Sequence, residues 1–311
     1  MRRVTVVPSL KENMQDYLNL ALQGKNEWWR YVIAVLLILF LWQILGAIPS
    51  AALIIWEMKN RGLQAGVSSD ILPGMNTTAG FLAIMLASVL FMTGLYLSIR
   101  FIHQRPLRTL ISSNRSIAWG RLFQGFGVWF VLAALIAVVE ALLFPGRYVW
   151  TLDIRRFIPF VLLALIFIPI QTSAEEFFFR GYILQGIGLH WRNIWLLSAI
   201  SGLLFGLPHL LNPEAAVNYA LLGLFYFAFG FVLAYITLRD GKLELALGAH
   251  AANNLFSVLF ANTIVSALPS PSLFTITVID AVYSVPAALI GMAIFVGLFV
   301  GPIKQRKDTG N

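Results

Sequence analysis

QTSAEEFFFRGYILQG, residues 171–186, sets two adjacent carboxylates, Glu175 and Glu176, and one guanidinium, Arg180, inside an apolar stretch that runs from about 157 to 189. Ionisable groups held at membrane depth cost at least ~2.5 kcal/mol each, so they are rare, face the bundle interior and mark function. The same run therefore fixes the reading of the fold and points to where the chemistry lies.

Working outward, the whole chain fits a membrane solvent. Its 311 residues are 59% hydrophobic and only 12% charged, with a mean hydropathy of +0.80. That is too apolar and too poor in charge for a soluble globular domain. A span needs roughly 20 apolar residues, and in those units the chain offers eight candidates: 31–56, 80–102, 121–144, 157–189, 194–211, 217–238, 244–263 and 276–303. The fold class is thus an all-α integral membrane protein of about eight transmembrane helices. The fourth candidate is long enough to be tilted or broken, and Pro169 predicts a break, since it removes a backbone donor and crowds the carbonyl of Leu165.

Lys and Arg counting sets the orientation. Loops of one set carry sixteen basic residues, those of the other five, with Arg180 inside a span. Both termini are expected to be cytoplasmic, as an even number of spans requires. The expected organisation is a cytoplasmic or interfacial segment over 1–30, a single helical membrane domain over 31–303, and a cytoplasmic tail over 304–311. Within the first segment, Lys11–Trp29 reads as an interfacial amphipathic stretch through Tyr17, Leu18, Leu20, Leu22, Trp28 and Trp29, and its polar lead does not fit a cleaved signal peptide. The longest polar connections, 57–79 and 103–120, are too short to hold a separate core. The formal charge of +8 is explained by the topology signal, and no basic patch with interleaved aromatics points to nucleic acid. Cysteine is absent, which excludes disulfides, thiolate metal sites and a cysteine nucleophile.

Four more residues join the charged run. Phe205 and His209 are spaced FxxxH in the fifth span, and His250 and Asn254 are spaced HxxxN in the seventh. Residues four apart share a helical face, so each pair projects toward a common point. Glu176 and Arg180 are also four apart, acid first, the favourable order for an ion pair. Glu175 is turned by about 100° from Glu176, which predicts separate environments for the two acids and leaves Glu175 without a local partner. A carboxylate in such a site suits general acid or base work. His209, facing Glu175, could share a water with it, while His250 and Asn254 are suited to donate to an oxyanion. The plainer alternatives are a structural charge cluster and histidines that pack. Phe177, Phe178 and Phe179 read as lipid-facing or packing groups. Glu140 and Asp280 are expected near interfacial water, and His103 and His190 in solvated loops. Pro208, directly before His209, predicts a second interrupted helix beside a water-filled cavity.

EExxxR, FxxxH and HxxxN, in that order on three separate helices, resemble the CAAX-processing and bacteriocin-processing (CPBP, or Abi) family of intramembrane proteases, which includes the type II CAAX prenyl endopeptidases such as the Ras-converting enzyme. The resemblance covers about 157–262. Spans one to three match only in number and hydropathy. It implies an intramembrane endopeptidase in which Glu175 and His209 activate the attacking water, His250 and Asn254 stabilise the oxyanion, and Glu176, Arg180 and Phe205 support them. The implied partners are the lipid bilayer and a protein or peptide substrate, with a prenylated CAAX protein as one class, in a bacterial inner (plasma) membrane or an endomembrane. Family names often include metalloprotease. No cofactor is required on the favoured reading; the alternative is zinc held by Glu175, His209 and His250, although the HExxH pattern is missing. Two other functions stay open, a proton-coupled membrane transporter and a non-catalytic bacteriocin-immunity protein.

Overall fold

The structure is a computed structural model that describes residues 10–61, 77–113 and 116–300. The expected tail at 304–311, the start of the N-terminal segment, Arg115 and most of the 57–79 connection lie outside the described residues.

Eleven described helices follow one another: α1 (Leu10–Asn19), α2 (Trp28–Leu39), α3 (Ala47–Arg61), α4 (Thr77–Leu97), α5 (Trp119–Leu143), α6 (Ile154–Glu176), α7 (Leu184–Gly188), α8 (Ile194–His209), α9 (Tyr219–Asp240), α10 (Glu244–Leu259) and α11 (Ala281–Val300). Helix α2 joins α3 through a π-helical turn at Phe40–Leu45 and α6 joins α7 through one at Phe177–Ile183, while a third, Ser98–Ile102, ends α4. Among the described residues, six continuous helices are long and apolar enough to cross a membrane: Trp28–Asn60, Thr77–Ile102, Trp119–Leu143, Ile154–Gly188, Tyr219–Asp240 and Ala281–Phe299. The protein is therefore a multi-pass membrane protein. The other two expected spans are helices α8 and α10, each of only 16 residues. At 1.5 Å per residue each is about 24 Å long, short of a ~30 Å hydrocarbon core. These short helices are the ones that carry FxxxH and HxxxN.

The break expected at Pro169 is not there. Helix α6 runs through both Pro159 and Pro169, and the irregular turn lies downstream at Phe177–Ile183, around Arg180. Pro208 sits in the last turn of α8, which ends one residue later at His209, so it closes the helix rather than interrupting it. Local caps fix where the site helices begin. The Asp153 side chain accepts from the Arg155 amide ahead of α6, and Asn193 accepts from Trp195 and Leu196 ahead of α8, each satisfying amides that the first turn leaves free.

Close packing sets the depth of α10. A Cβ at Gly248 would fall 2.0 Å from the Leu122 carbonyl oxygen of α5, and one at Gly125 would fall 2.3 Å from that of Leu245. Only glycine permits this backbone approach, the small-residue mode of membrane helix packing. It buries Gly248 to Ala252 together with His250.

Three short strands depart from the all-α expectation. β1 (Tyr148–Trp150), β2 (Ala261–Thr263) and β3 (Phe274–Ile276) form one sheet in the order β1-β3-β2, with β1 antiparallel and β2 parallel to β3. They tie the α5–α6 connection to the α10–α11 connection. Beside them Arg147 reaches both Glu140, at 3.3 Å, and Asp280, at 2.7 Å. Glu140 is buried, not water-facing as expected, because Tyr148 and Arg147 cover its two oxygens.

Helix α1 also packs more deeply than an interfacial stretch. Tyr17, Leu18 and Leu20 are buried against Leu184, Leu197, Ala234 and Leu238, while Leu22, Trp28 and Trp29 remain exposed. The Tyr17 hydroxyl reaches the carbonyls of Leu110, at 2.8 Å, and Arg180, at 3.2 Å. His103 is likewise buried rather than solvated, held between the Lys25 carbonyl and the Tyr182 hydroxyl. Its burial holds the imidazole below the ordinary histidine range.

Candidate active site

Seven residues were singled out from sequence, and the structure gathers them at the junction of α6, α8 and α10. Glu176 and Arg180 pair as the i,i+4 spacing predicts, at 3.0 Å, and both are fully buried. Arg180 also donates to the carbonyl of Gly230 in α9 at 3.2 Å. Its guanidinium lies 4.5 Å over the Phe205 ring, a cation–π contact that offsets part of its desolvation.

His250 changes the expected picture of the two acids. Its Nδ1 lies 2.7 Å from Glu176 Oε1 and its Nε2 lies 3.7 Å from Glu175 Oε2. The two carboxylates therefore share one imidazole, against the expectation that they occupy separate environments. An imidazole presents nitrogens on two sides of its ring, wide enough to span neighbouring helical positions. Because Nδ1 donates to Glu176, Nε2 carries a second donor only when the ring is protonated.

Glu175 also has the local partner that the sequence reading denied it. Gln171, one turn earlier in α6, donates through Nε2 to Glu175 Oε1. Glu175 Oε2 is buried and accepts no hydrogen bond among the described residues. Asn254 does not touch Glu175 directly; its Nδ2 donates to Gln171 Oε1 at 2.9 Å. Gln171 thus bridges the acid of α6 and the amide of α10.

His209 stands at the last residue of α8. Its Nδ1 donates to the Phe205 carbonyl at 2.7 Å, which leaves Nε2 as the acceptor in the neutral ring. The ring packs 4.2 Å from Phe205 and 5.0 Å from Tyr226. Phe205, 2% exposed, is the hub that spaces His209 from His250, whose ring meets it edge-on at 5.7 Å. Phe177, Phe178 and Phe179 are all buried packing groups.

Sequence reasoning missed Gln171, Asn253, Trp129 and Tyr226. Gln171 was visible as a polar residue four before Glu175 inside the decisive run, and Asn253 as the neighbour of Asn254. Trp129 and Tyr226 sit on other helices, where no local spacing marks them. Trp129 and Asn253 also line a cavity of about 160 Å³ with Ala133, Ile136, Phe225 and Phe256.

A zinc site would need Glu175, His209 and His250 around one point. Among the described residues, no group of three His, Asp or Glu side chains is arranged to hold a metal ion, and both His250 nitrogens face carboxylates. The donor set does not fit zinc in this arrangement. What it offers is a buried carboxylate oxygen with free lone pairs, two imidazoles of defined orientation and an anchored amide, the parts needed for proton transfer and oxyanion binding.

The model of a family described as Type II CAAX prenyl endopeptidase Rce1-like matches residues 154–256. These residues run from the start of α6 into α10 and include all seven sequence-selected positions. Uncharacterized protein YyaK of Bacillus subtilis (strain 168) is 36% identical over 264 residues, which covers 82% of this chain and 86% of that protein. No solved structure matches the chain.

Proposed function

The chain belongs to the Rce1-like type II CAAX prenyl endopeptidase family, and from that premise we propose that it is an intramembrane endopeptidase that hydrolyses a peptide bond with a side-chain-activated water. One observation carries the reading. Glu175 keeps one carboxylate oxygen buried, without a hydrogen bond among the described residues, and beside His250, while its other oxygen is fixed by Gln171. An unsatisfied buried acceptor costs about 1–3 kcal/mol, and one set among acids and imidazoles with perturbing neighbours is a candidate for proton transfer.

In the proposed sequence, Glu175 Oε2 takes a proton from water, with Nε2 of His209 accepting from the same water. The hydroxide attacks the scissile carbonyl carbon. The carbonyl oxygen, now carrying the electron pair, receives hydrogen bonds from the second N–H of Asn254 and from protonated His250. Collapse breaks the C–N bond, and the proton held by Glu175 passes to the leaving amine. Glu176 holds His250 by its Nδ1, and Arg180 balances the charge of Glu176. The substrate is a peptide or protein segment presented at the membrane, and its lipidation is decided by experiment.

Purified protein in detergent, assayed against peptide libraries with and without a farnesylated cysteine, is expected to cleave a subset of peptides. Glu175→Ala and His209→Ala each lower cleavage by about 10²–10⁴-fold with the protein still inserted and monodisperse. Equal cleavage by wild type and either variant would reject the mechanism.

A further inference from the structure

Four hydrogen bonds run in one direction from α5 to Glu175. The indole Nε1 of Trp129 donates to Asn253 Oδ1 at 3.2 Å, Asn253 Nδ2 donates to Asn254 Oδ1 at 3.0 Å, Asn254 Nδ2 donates to Gln171 Oε1 at 2.9 Å, and Gln171 Nε2 donates to Glu175 Oε1. Each primary amide can be turned over at little steric cost, since its oxygen and nitrogen are nearly the same size. Neither end of the chain has that freedom. An indole nitrogen only donates, and a carboxylate only accepts. With a donor fixed at one end and an acceptor at the other, all three amides between them must face one way.

That direction matters at two places. It turns an N–H of Gln171 onto Glu175, and it turns the NH₂ of Asn254, with one hydrogen spent on Gln171 and one to spare, toward the site. The opposite direction would put the oxygen of Gln171 against the carboxylate and the oxygen of Asn254 where an oxyanion has to be bound. Trp129 is itself rigidly seated, 4% exposed and packed 5.3 Å from Phe229 and 5.5 Å from Phe295. Neighbouring dipoles aligned head to tail also reinforce one another.

We infer that Trp129, Asn253 and Gln171 are positioning residues that set the facing of the Asn254 amide and of the hydrogen bond to Glu175, so that base and oxyanion donor are oriented together from an indole on α5 that bonds to neither. The kinetic consequence rests on the peptidase reading above; the directed chain itself rests on the geometry alone.

Asn253→Asp tests the direction with almost no change of shape. An aspartate at 253 still accepts from Trp129 but cannot donate to Asn254, so the amides beyond it lose their preferred facing. The expected result is a kcat lower by about 10–100-fold, the size typical for groups that orient reacting residues, with KM unchanged; the added carboxylate lowers the melting temperature by itself, so the split between kcat and KM is the readout. Gln171→Met, of similar length without polar ends, is expected to lose as much, and Trp129→Phe less, because the chain then survives without its fixed donor. Wild-type kcat in Asn253→Asp, or equal changes in kcat and KM, overturns the inference.

A second readout needs no substrate. In protein labelled with ¹⁵N at its nine tryptophans, the indole resonance of Trp129 is identified by its loss in Trp129→Phe. Gln171→Met and Glu175→Gln, links away, are expected to shift it, whereas Glu140→Gln leaves it in place. An indole resonance indifferent to Gln171 and Glu175 rejects the chain. A wild-type preparation that cleaves no peptide while the resonance responds rejects the peptidase reading and leaves the chain standing.

Discussion

Two acid–arginine clusters in this bundle use the same chemical parts to different ends. At the sheet end, Glu140 accepts from Arg147 and Tyr148 on its two oxygens, and Asp280 accepts from Arg147 on one and from the amides of Val282 and Tyr283 on the other. Every carboxylate oxygen there has a partner. In the α6–α10 cluster, Glu175 and Glu176 each keep one buried oxygen that accepts no hydrogen bond among the described residues. Complete pairing at the sheet end reads as structure, whereas a free carboxylate oxygen set beside an imidazole, as on Glu175, is the arrangement that proton transfer needs.

The sharpest way to break that contrast is to neutralise one acid in each cluster. Glu175→Gln is expected to lower peptide cleavage by about 10²–10⁴-fold while leaving melting temperature equal or raised, since it removes a buried charge whose second oxygen accepts no hydrogen bond among the described residues. Glu140→Gln is expected to do the reverse, retaining cleavage and lowering stability by about 1–3 kcal/mol, because it strips charge from a fully paired group. Cleavage rate and thermal unfolding measured on both proteins decide it. Loss of activity in both, or in neither, would erase the distinction.

How much of this was legible follows from which interactions are local. The Glu176–Arg180 pair and the facing of Phe205 with His209 are one-turn relations on a single helix, so spacing alone revealed them. The sharing of His250 by both acids was not legible, because it depends on how deeply α10 enters, and that is set by Gly125 against Leu245 and Gly248 against Leu122, contacts between helices far apart in sequence. Pro169 misled for a related reason. A proline's cost to a helix is local, but neighbouring helices can hold it straight, and the irregular turn lies further along, at Phe177–Ile183. All eight apolar segments hold helices, but among the described residues six are long and apolar enough to span; the lengths were overestimated for α8 and α10, since apolar residues continue past the helix ends into Leu210 and Phe260. The sheet left no sequence signal because each of its strands is only three residues long.

Breaking an ion pair separates the clusters by burial. Arg180→Met leaves Glu176 fully buried with His250 as its remaining partner, and a cost of about 3–5 kcal/mol is expected. Arg147→Met, whose side chain is partly exposed, is expected to cost nearer ~1 kcal/mol, as solvent screens what remains. Adding Glu176→Leu to Arg180→Met is expected to recover much of the first loss, since an apolar pair can replace a buried ionic one. Chemical denaturation of the single and double variants in mixed micelles measures this. A double variant no more stable than Arg180→Met would show that Glu176 has another role in holding the fold.

The smallest effect concerns pH and belongs to the sheet end alone. The hydrogen bond from Arg147 holds the Asp280 carboxyl below the ordinary carboxylate range, opposed by partial desolvation and helped by the amides of Tyr283 and Val282. A carboxyl depressed in the folded state contributes stability that is fully present above its unfolded value, near 3.8, and is lost as pH falls through its lower folded value. Asp280→Asn keeps the acceptor oxygen that caps the first turn of α11, because asparagine caps as well as aspartate, and removes only the charge. The wild-type protein is therefore expected to melt slightly above Asp280→Asn between pH 5 and 7, with the two curves converging as pH drops below ~3.8. A gap that persists in acid would mean that Asp280 acts through its shape and not its charge, and the sheet-end cluster would then be a cap with an arginine nearby rather than a paired counterpart to the site.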